Sequence, residues 1–253
     1  MSDLVSNSAL AGRRILVVGA SSGIGRALAA QAARAGGRVV ATARRAERLE
    51  DLRREGHGDL SVVEADVRRD ADCAAMVDRT VATLGGLDAL IYAAGMSTLS
   101  PLLETDGDAW RMILETNVVG AALASRAALP HLIASQGRAV FLSSVSSDDP
   151  RPFLVAYGAS KAALDALIKG WRSEHPTMCF IRIGVGPTST GFGSGWTQGQ
   201  VAKLTEMRTQ RGLLRARPMT PEQCADAILN TVASPVWIED VRLMPDNTVE
   251  AAP

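Results

Sequence analysis

Hydrophobic and polar positions alternate along this chain between two periods. Short, almost wholly apolar runs predict strands buried on both faces: RILVVG (Arg14 to Gly19), RVVATA (Arg38 to Ala43), LSVVEAD (Leu60 to Asp66), LDALIYAAG (Leu87 to Gly95), GRAVFLSS (Gly137 to Ser144), MCFIRIGVG (Met178 to Gly186) and IEDVRLMP (Ile238 to Pro245). Longer runs with helical spacing fall between them: Ile24 to Gly36, Ala46 to Glu55, Asp70 to Gly85, Asp106 to Ala134, Ala156 to Glu174 and Pro221 to Ser234. Gly36 and Gly85 read as helix stops, and Asp70 as a cap. Strands alternating with helices predict an α/β fold: one doubly wound, Rossmann-like parallel sheet of about seven strands, with helices on both faces. The reading is one domain over residues 1–253, with a loose tail over 1–12. Residues 188–219 are rich in Gly, Ser, Thr and Arg, and a connection that long predicts a substrate lid.

Composition narrows the partners. Hydrophobic residues make up 47% of the chain, enough for a large core. Lys and Arg number 27 and so do Asp and Glu, which argues against a nucleic-acid surface or a polybasic membrane patch. The N-terminus lacks a cationic start followed by an apolar run, and no stretch is read as reaching the ~18 apolar residues of a membrane span. Cys73, Cys179 and Cys224 are far apart and odd in number, as expected of reduced thiols. A cytoplasmic protein acting on small molecules is expected. His57, His131 and His175 are isolated, so no metal site is expected.

The first strand runs into GASSGIG, with Gly19, Gly23 and Gly25 between strand and helix. Gly19 permits a sharp turn, Gly23 allows close backbone approach to a ligand, and Gly25 allows tight helix packing. The helix N-terminus then offers free N–H groups to a pyrophosphate. The spacing is GxxxGxG, and YGASK (Tyr157 to Lys161) lies further on. With these motifs the chain resembles the short-chain dehydrogenase/reductase family over nearly its whole length. Val18 stands where that family has threonine, YAAG (Tyr92 to Gly95) where it has NNAG, and Gly186–Pro187 where it has Pro–Gly. The family's asparagines mainly brace the central sheet, so their substitution bears on local stability more than on chemistry.

The resemblance implies a nicotinamide cofactor held by Gly19, Ser21, Ser22, Gly23, Ile24, Gly25, Ala94 and Gly95, with Asp66 and Val67 at the adenine. Pro187, Thr188 and Thr190 are expected at the nicotinamide amide or pyrophosphate. An acid that would bind a ribose 2′-hydroxyl is missing after the second strand, where Arg44 and Arg45 stand instead. Guanidinium suits a 2′-phosphate, so NADP(H) is expected, with Arg44 the stronger candidate.

A free tyrosine titrates near pH ≈10, and a nearby cation lowers that value. Tyr157 and Lys161 share a helix face, so Lys161 is expected to lower Tyr157 and make it a general acid and base. The resemblance adds Ser144, thirteen residues earlier, on the substrate oxygen, and Asn117 supporting a water that relays protons to Lys161. It also implies a homodimer or homotetramer built on the helices carrying Asn117 and Tyr157. The expected reaction is hydride transfer between the nicotinamide and a ketone or secondary alcohol. Phe192 and Trp196 are candidates to line the pocket or to pack the lid. The alternative function is a non-catalytic dinucleotide sensor or scaffold of the same fold. Epimerisation or dehydration is a third reading, associated in the family with a longer C-terminal region.

Overall fold

A computed structural model describes residues 9–190, 196–210 and 217–246. Among these, seven parallel strands form one sheet: β1 (Arg14–Val18), β2 (Arg38–Ala43), β3 (Leu60–Glu64), β4 (Ala89–Tyr92), β5 (Arg138–Ser144), β6 (Cys179–Val185) and β7 (Asp240–Leu243). Their order is β3-β2-β1-β4-β5-β6-β7. The chain reverses its winding between β1 and β4, and in open α/β sheets that is where a crevice opens beyond the carboxyl ends of the strands. The fold is the Rossmann-like α/β sheet that the hydrophobic pattern predicts.

Helices α1 (Gly23–Arg34), α2 (Ala46–Arg54), α3 (Asp70–Leu84), α4 (Gly107–Leu114), α5 (Gly120–Ala134), α6 (Val155–Glu174), α7 (Gln198–Gln210) and α8 (Pro221–Ala233) complete the layers. On one face, Ala27, Ala29, Ala30 and Ala33 of α1 leave room for α8, whose Ile228 and Leu229 are fully buried. On the other, Met76 and Val77 of α3 meet Ala124 and Ala128 of α5 and Leu164 of α6. Each large apolar side chain removed from water contributes about 1.5–3 kcal/mol. Ring contacts run from Tyr92 to Phe141 (6.4 Å), Trp171 (5.3 Å) and Phe180 (6.1 Å), tying β4, β5, α6 and β6 together.

Several expectations are corrected. The helical region from Asp106 is two helices joined by a π-turn, Glu115–Val119, which carries Asn117. The run Gly107–Ala134 is long and apolar enough to cross a membrane by length and composition, although no such stretch was expected; its buried side chains Ala121, Ala124, Ala128 and Leu132 face the sheet core. Asp70 does not cap α3, because its carboxylate pairs with Arg126 at 2.5 Å and Arg69 occupies the cap position. Leu10, assigned to the loose tail, is fully buried, and the Gly12 amide donates to the Gly36 carbonyl. The lid region contains α7, which the polar composition had hidden. Cys73, Cys179 and Cys224 are free and buried.

Candidate active site

Loops at the carboxyl ends of β1, β2, β4, β5 and β6 enclose a cleft of about 980 Å³. Three glycines shape its floor. Gly19 has φ +94°, and a Cβ there would lie 2.5 Å from the Ala94 amide nitrogen. Only glycine allows β1 to turn this close to the loop after β4. A Cβ on Gly25 would overlap the Gly19 carbonyl oxygen, so the helix start packs onto the turn itself. Gly23 has φ +55° and lies beneath Thr190, whose Cβ would sit 3.3 Å from an added Cβ. The amides of Gly19 and Ala20 both donate to the Thr42 carbonyl, which locks β2 to the turn.

At the β2 end of the cleft, Arg45 donates to Ser21 Oγ (2.8 Å) and Ser22 Oγ (2.9 Å). Arg44 and Arg48 also line this end and are exposed. Arg44 was expected to be the principal cation, yet Arg45 is the one in contact with the glycine turn. Arg48, on the first turn of α2, was not anticipated. Asp66 does not line the cleft. Arg68 hydrogen-bonds both oxygens of its carboxylate and holds it below the usual range, and Ala65 and Val67 form the wall there.

Asn117 is fully buried in the π-turn. Its Oδ1 accepts from the Met96 amide (2.9 Å), and its Nδ2 donates to the Met96 carbonyl (3.0 Å) and to Ser160 Oγ (2.9 Å). It therefore clamps the loop after β4 to α6. An added Cβ on Gly95 would lie 3.6 Å from both Asn117 Oδ1 and Lys161 Nζ, so these groups converge. Tyr92 takes the place of an asparagine in the resembled motif. Its hydroxyl donates to the Thr116 carbonyl at 2.6 Å, next to Asn117, and so braces the π-turn from the sheet.

Ser144 ends β5 and accepts from the Ser146 amide at 3.1 Å. Its hydroxyl also hydrogen-bonds Tyr157, which stands one turn before Lys161 on α6. Gly158 makes this possible: a Cβ there would lie 2.8 Å from the Ser146 carbonyl oxygen, so only glycine admits the loop after β5 against the helix. Lys161 is buried, donates to the Leu142 carbonyl at 2.6 Å and lies 5.8 Å from the Tyr157 ring centroid. Burial pushes Tyr157 up to about 12, and the hydrogen bond from Ser144 pulls it back. Burial pushes Lys161 down to about 8, opposed by the charge of Asp165. The expected lowering of Tyr157 by Lys161 is thus overridden by desolvation, because the ammonium is turned towards Leu142 and is itself disfavoured by burial.

The connection after β6 is anchored at its base. Thr188 and Met219 form a parallel bridge, the Ser189 amide donates to the Met219 carbonyl, and the Met219 amide donates to the Pro187 carbonyl. Thr188 Oγ1 turns back to the Gly186 carbonyl at 3.0 Å, while Pro187, Thr188 and Thr190 line the cleft. Trp196 both lines the cleft and packs with Leu99, Leu154 and Leu204, beside Phe153 and Tyr157. Gln200 of α7 donates to the Leu99 carbonyl at 2.6 Å. Phe192 lies outside the described residues. Met96, Ser97, Arg151, Val201 and Pro218 also line this end and carried no motif that would have marked them. Among the described residues, no three His, Cys, Asp or Glu side chains group to hold a metal ion.

The short chain dehydrogenase family matches residues 13–200. The 11-beta-hydroxysteroid dehydrogenase A of Sesamum indicum is 40% identical over 173 residues, covering 65% of this chain and 49% of the relative. The chain thus spans about half the length of such curated relatives. An alcohol dehydrogenase from the archaeon Thermococcus sibiricus, solved with 5-hydroxy-NADP, superposes with a TM-score of 0.79 at 23% identity, over 93% of this chain and 97% of that one. A short-chain dehydrogenase from Streptomyces avermitilis has the same TM-score at 29% identity, over 92% and 88%.

Proposed function

Because this chain belongs to the short-chain dehydrogenase family, we propose that it is an NADP(H)-dependent oxidoreductase of ketones and secondary alcohols. The observation that carries this reading is one cleft containing both the glycine turn and the hydrogen-bonded Ser144–Tyr157 pair beside Lys161. The residues fit a dinucleotide. Gly19 and Gly25 let the turn close tightly, the start of α1 offers amides to a pyrophosphate, and Arg44, Arg45 and Arg48 suit a 2′-phosphate. The structural neighbour solved with an NADP derivative supports the same choice.

A bound NADPH would supply the hydride, from C4 of its nicotinamide. Tyr157, held as a phenol by burial, gives its proton to the carbonyl oxygen during reduction. Ser144 donates a hydrogen bond to that oxygen and fixes it beside Tyr157. Lys161 would hold the ribose hydroxyls of a bound cofactor and pass protons towards Tyr157. Asn117 keeps Met96 and Ser160 in place around it. In alcohol oxidation the same tyrosine acts as the base. Exposed apolar residues on α5 and α6 or just before α5 (Val119, Ile133 and Val155) support a homodimer on those helices, which sedimentation measures.

The test of cofactor choice is a fluorescence titration with NADPH and NADH, using wild type, Arg44→Ala and Arg45→Ala. The wild type is expected to prefer NADPH, and loss of a charge-assisted contact should weaken NADPH alone by about 10- to 100-fold. Preference for NADH, or no change in either variant, overturns the 2′-phosphate assignment.

A further inference from the structure

Three arginines of this chain are buried to nearly the same degree, and two are saturated with partners. Arg182, 14% exposed, contacts Ser147, Asp148 and Asp165. Arg172, 17% exposed, contacts the Phe180 carbonyl, the Glu239 carbonyl and Asp240. Arg151 is 16% exposed, and among the described residues its ion-pair partner is Asp149, at 3.4 Å and itself 67% exposed. Its Nε is buried with no hydrogen-bond partner. A buried guanidinium has lost hydration, and the loss is normally offset by paired acceptors.

Arg151 lies in the connection between β5 and α6, six residues before Tyr157, and it lines the cleft. Its surroundings hold it there. The Leu154 amide donates to the Arg151 carbonyl, and the Gly158 amide donates to the Leu154 carbonyl. Phe153, between them, has φ +64°, a left-handed backbone rare for an aromatic residue. Its carbonyl accepts from the Ser100 amide, which fastens this turn to the loop after β4. A non-glycine residue in that conformation persists where the surroundings over-determine it, and such places cluster at ligand sites. The same end of the cleft has apolar lining from Met96, Leu154, Trp196, Val201 and Pro218, with Ser97 among them.

Resting on the oxidoreductase reading above, we propose that Arg151 is a specificity-determining residue that binds a carboxylate on the substrate. The substrate class is an oxo acid or hydroxy acid with an apolar body: the body lies on Trp196 and Leu154, and the carboxylate takes the paired bonds that Arg151 leaves unmade. A planar guanidinium matches a carboxylate with two parallel bonds, which fixes orientation as well as charge. Asp149, exposed and at a long distance, is the weak partner that such a ligand displaces.

The probe is 3-benzoylpropionate, a ketone carrying a carboxylate, against its methyl ester. Both are titrated calorimetrically into the wild-type protein with and without NADP+, which cannot reduce them, and then assayed with NADPH. The acid is expected to bind about 10- to 100-fold tighter than the ester, as for a hydrogen-bonded charge pair. Arg151→Met should abolish that difference while leaving ester binding and NADPH affinity unchanged; Arg151→Lys should keep part of it. Equal affinity for acid and ester in the wild type, no measurable binding of the acid, or an undiminished preference in Arg151→Met overturns the proposal. If Arg151→Met fails to fold, the wild-type ratio and Arg151→Lys still decide. An absent acid preference in the wild type, or one undiminished in Arg151→Met, with NADPH binding intact sinks only the Arg151 assignment. Failure of the wild type to bind NADPH sinks the oxidoreductase reading, and the titration without NADP+ still decides the carboxylate site.

Discussion

Replacing Tyr92 with phenylalanine removes one oxygen from the centre of the molecule, and its consequences can be worked out in detail. The hydroxyl is fully buried, donates to the Thr116 carbonyl at 2.6 Å, and occupies space that only a glycine at position 120 leaves open. The variant leaves that carbonyl unsatisfied, at a cost of about 1–3 kcal/mol. In a domain of this size each kcal/mol lowers the unfolding midpoint by about 2–4 °C, so a fall of about 2–12 °C is expected. The partner substitution is Gly120→Ala. Its Cβ would lie 2.6 Å from the Tyr92 hydroxyl and 2.9 Å from Val67 Cγ2. Alanine gains about 1 kcal/mol of helix propensity. Overpacking costs about 1–3 kcal/mol and dominates. In the Tyr92→Phe background the nearer clash is gone, so the same substitution should cost less. Denaturant unfolding of the four proteins should therefore show a coupling of about 0.5–3 kcal/mol. Additive effects, or a Tyr92→Phe variant as stable as the wild type, would refute the brace.

Other consequences follow from the same geometry. Burial holds Lys161 at about 8 against 10.5 for a free lysine, so between those values the folded chain binds fewer protons than the unfolded one. Wild-type stability relative to Lys161→Met should therefore rise from about pH 8 to pH 10.5, with the full penalty below pH 8; urea unfolding across that range measures it, and a flat difference contradicts the burial. Tyr157 is pushed up to about 12, so ketone reduction should be level from pH 6 to pH 8 while alcohol oxidation climbs through the alkaline range, as initial rates will record. Asn117→Ala should cost about 1–3 kcal/mol and lower kcat, because the Met96 amide and carbonyl both lose their partner. Gly23→Ala should weaken NADPH binding through its contact with Thr190 while leaving the sheet intact by circular dichroism.

The strands were legible because a parallel sheet covered on both faces demands continuous apolar runs, and six helices because their stops and spacing are local. The glycine turn and the Tyr157–Lys161 spacing were equally plain, since each depends on a short stretch of sequence, whereas Ser144 came only with the family resemblance. What escaped depends on contacts between distant segments. The π-turn at Asn117 is braced by the Tyr92 hydroxyl from a distant strand, and nothing in LETNVVG announces it. Helix α7 has no clear apolar face in sequence, and its Leu204 finds a place only because Leu99 and Leu154 arrive from elsewhere. Asp66 looked free to meet a ligand until Arg68, two residues on, closed over it. Arg44 and Arg45 differ only in direction, which sequence does not encode. The desolvation that raises Tyr157 likewise comes from the assembled cleft and not from its helix.

Tyr157→Phe tests the central claim most directly. The substitution keeps the ring that packs beside Trp196 and Leu154 and removes the hydroxyl that carries the proton. NADPH should bind the variant as tightly as the wild type, while ketone-dependent NADPH oxidation falls by about 10²- to 10⁴-fold, the usual worth of a general acid. Unchanged turnover with NADPH bound would contradict the account, because some other group would then be moving the proton.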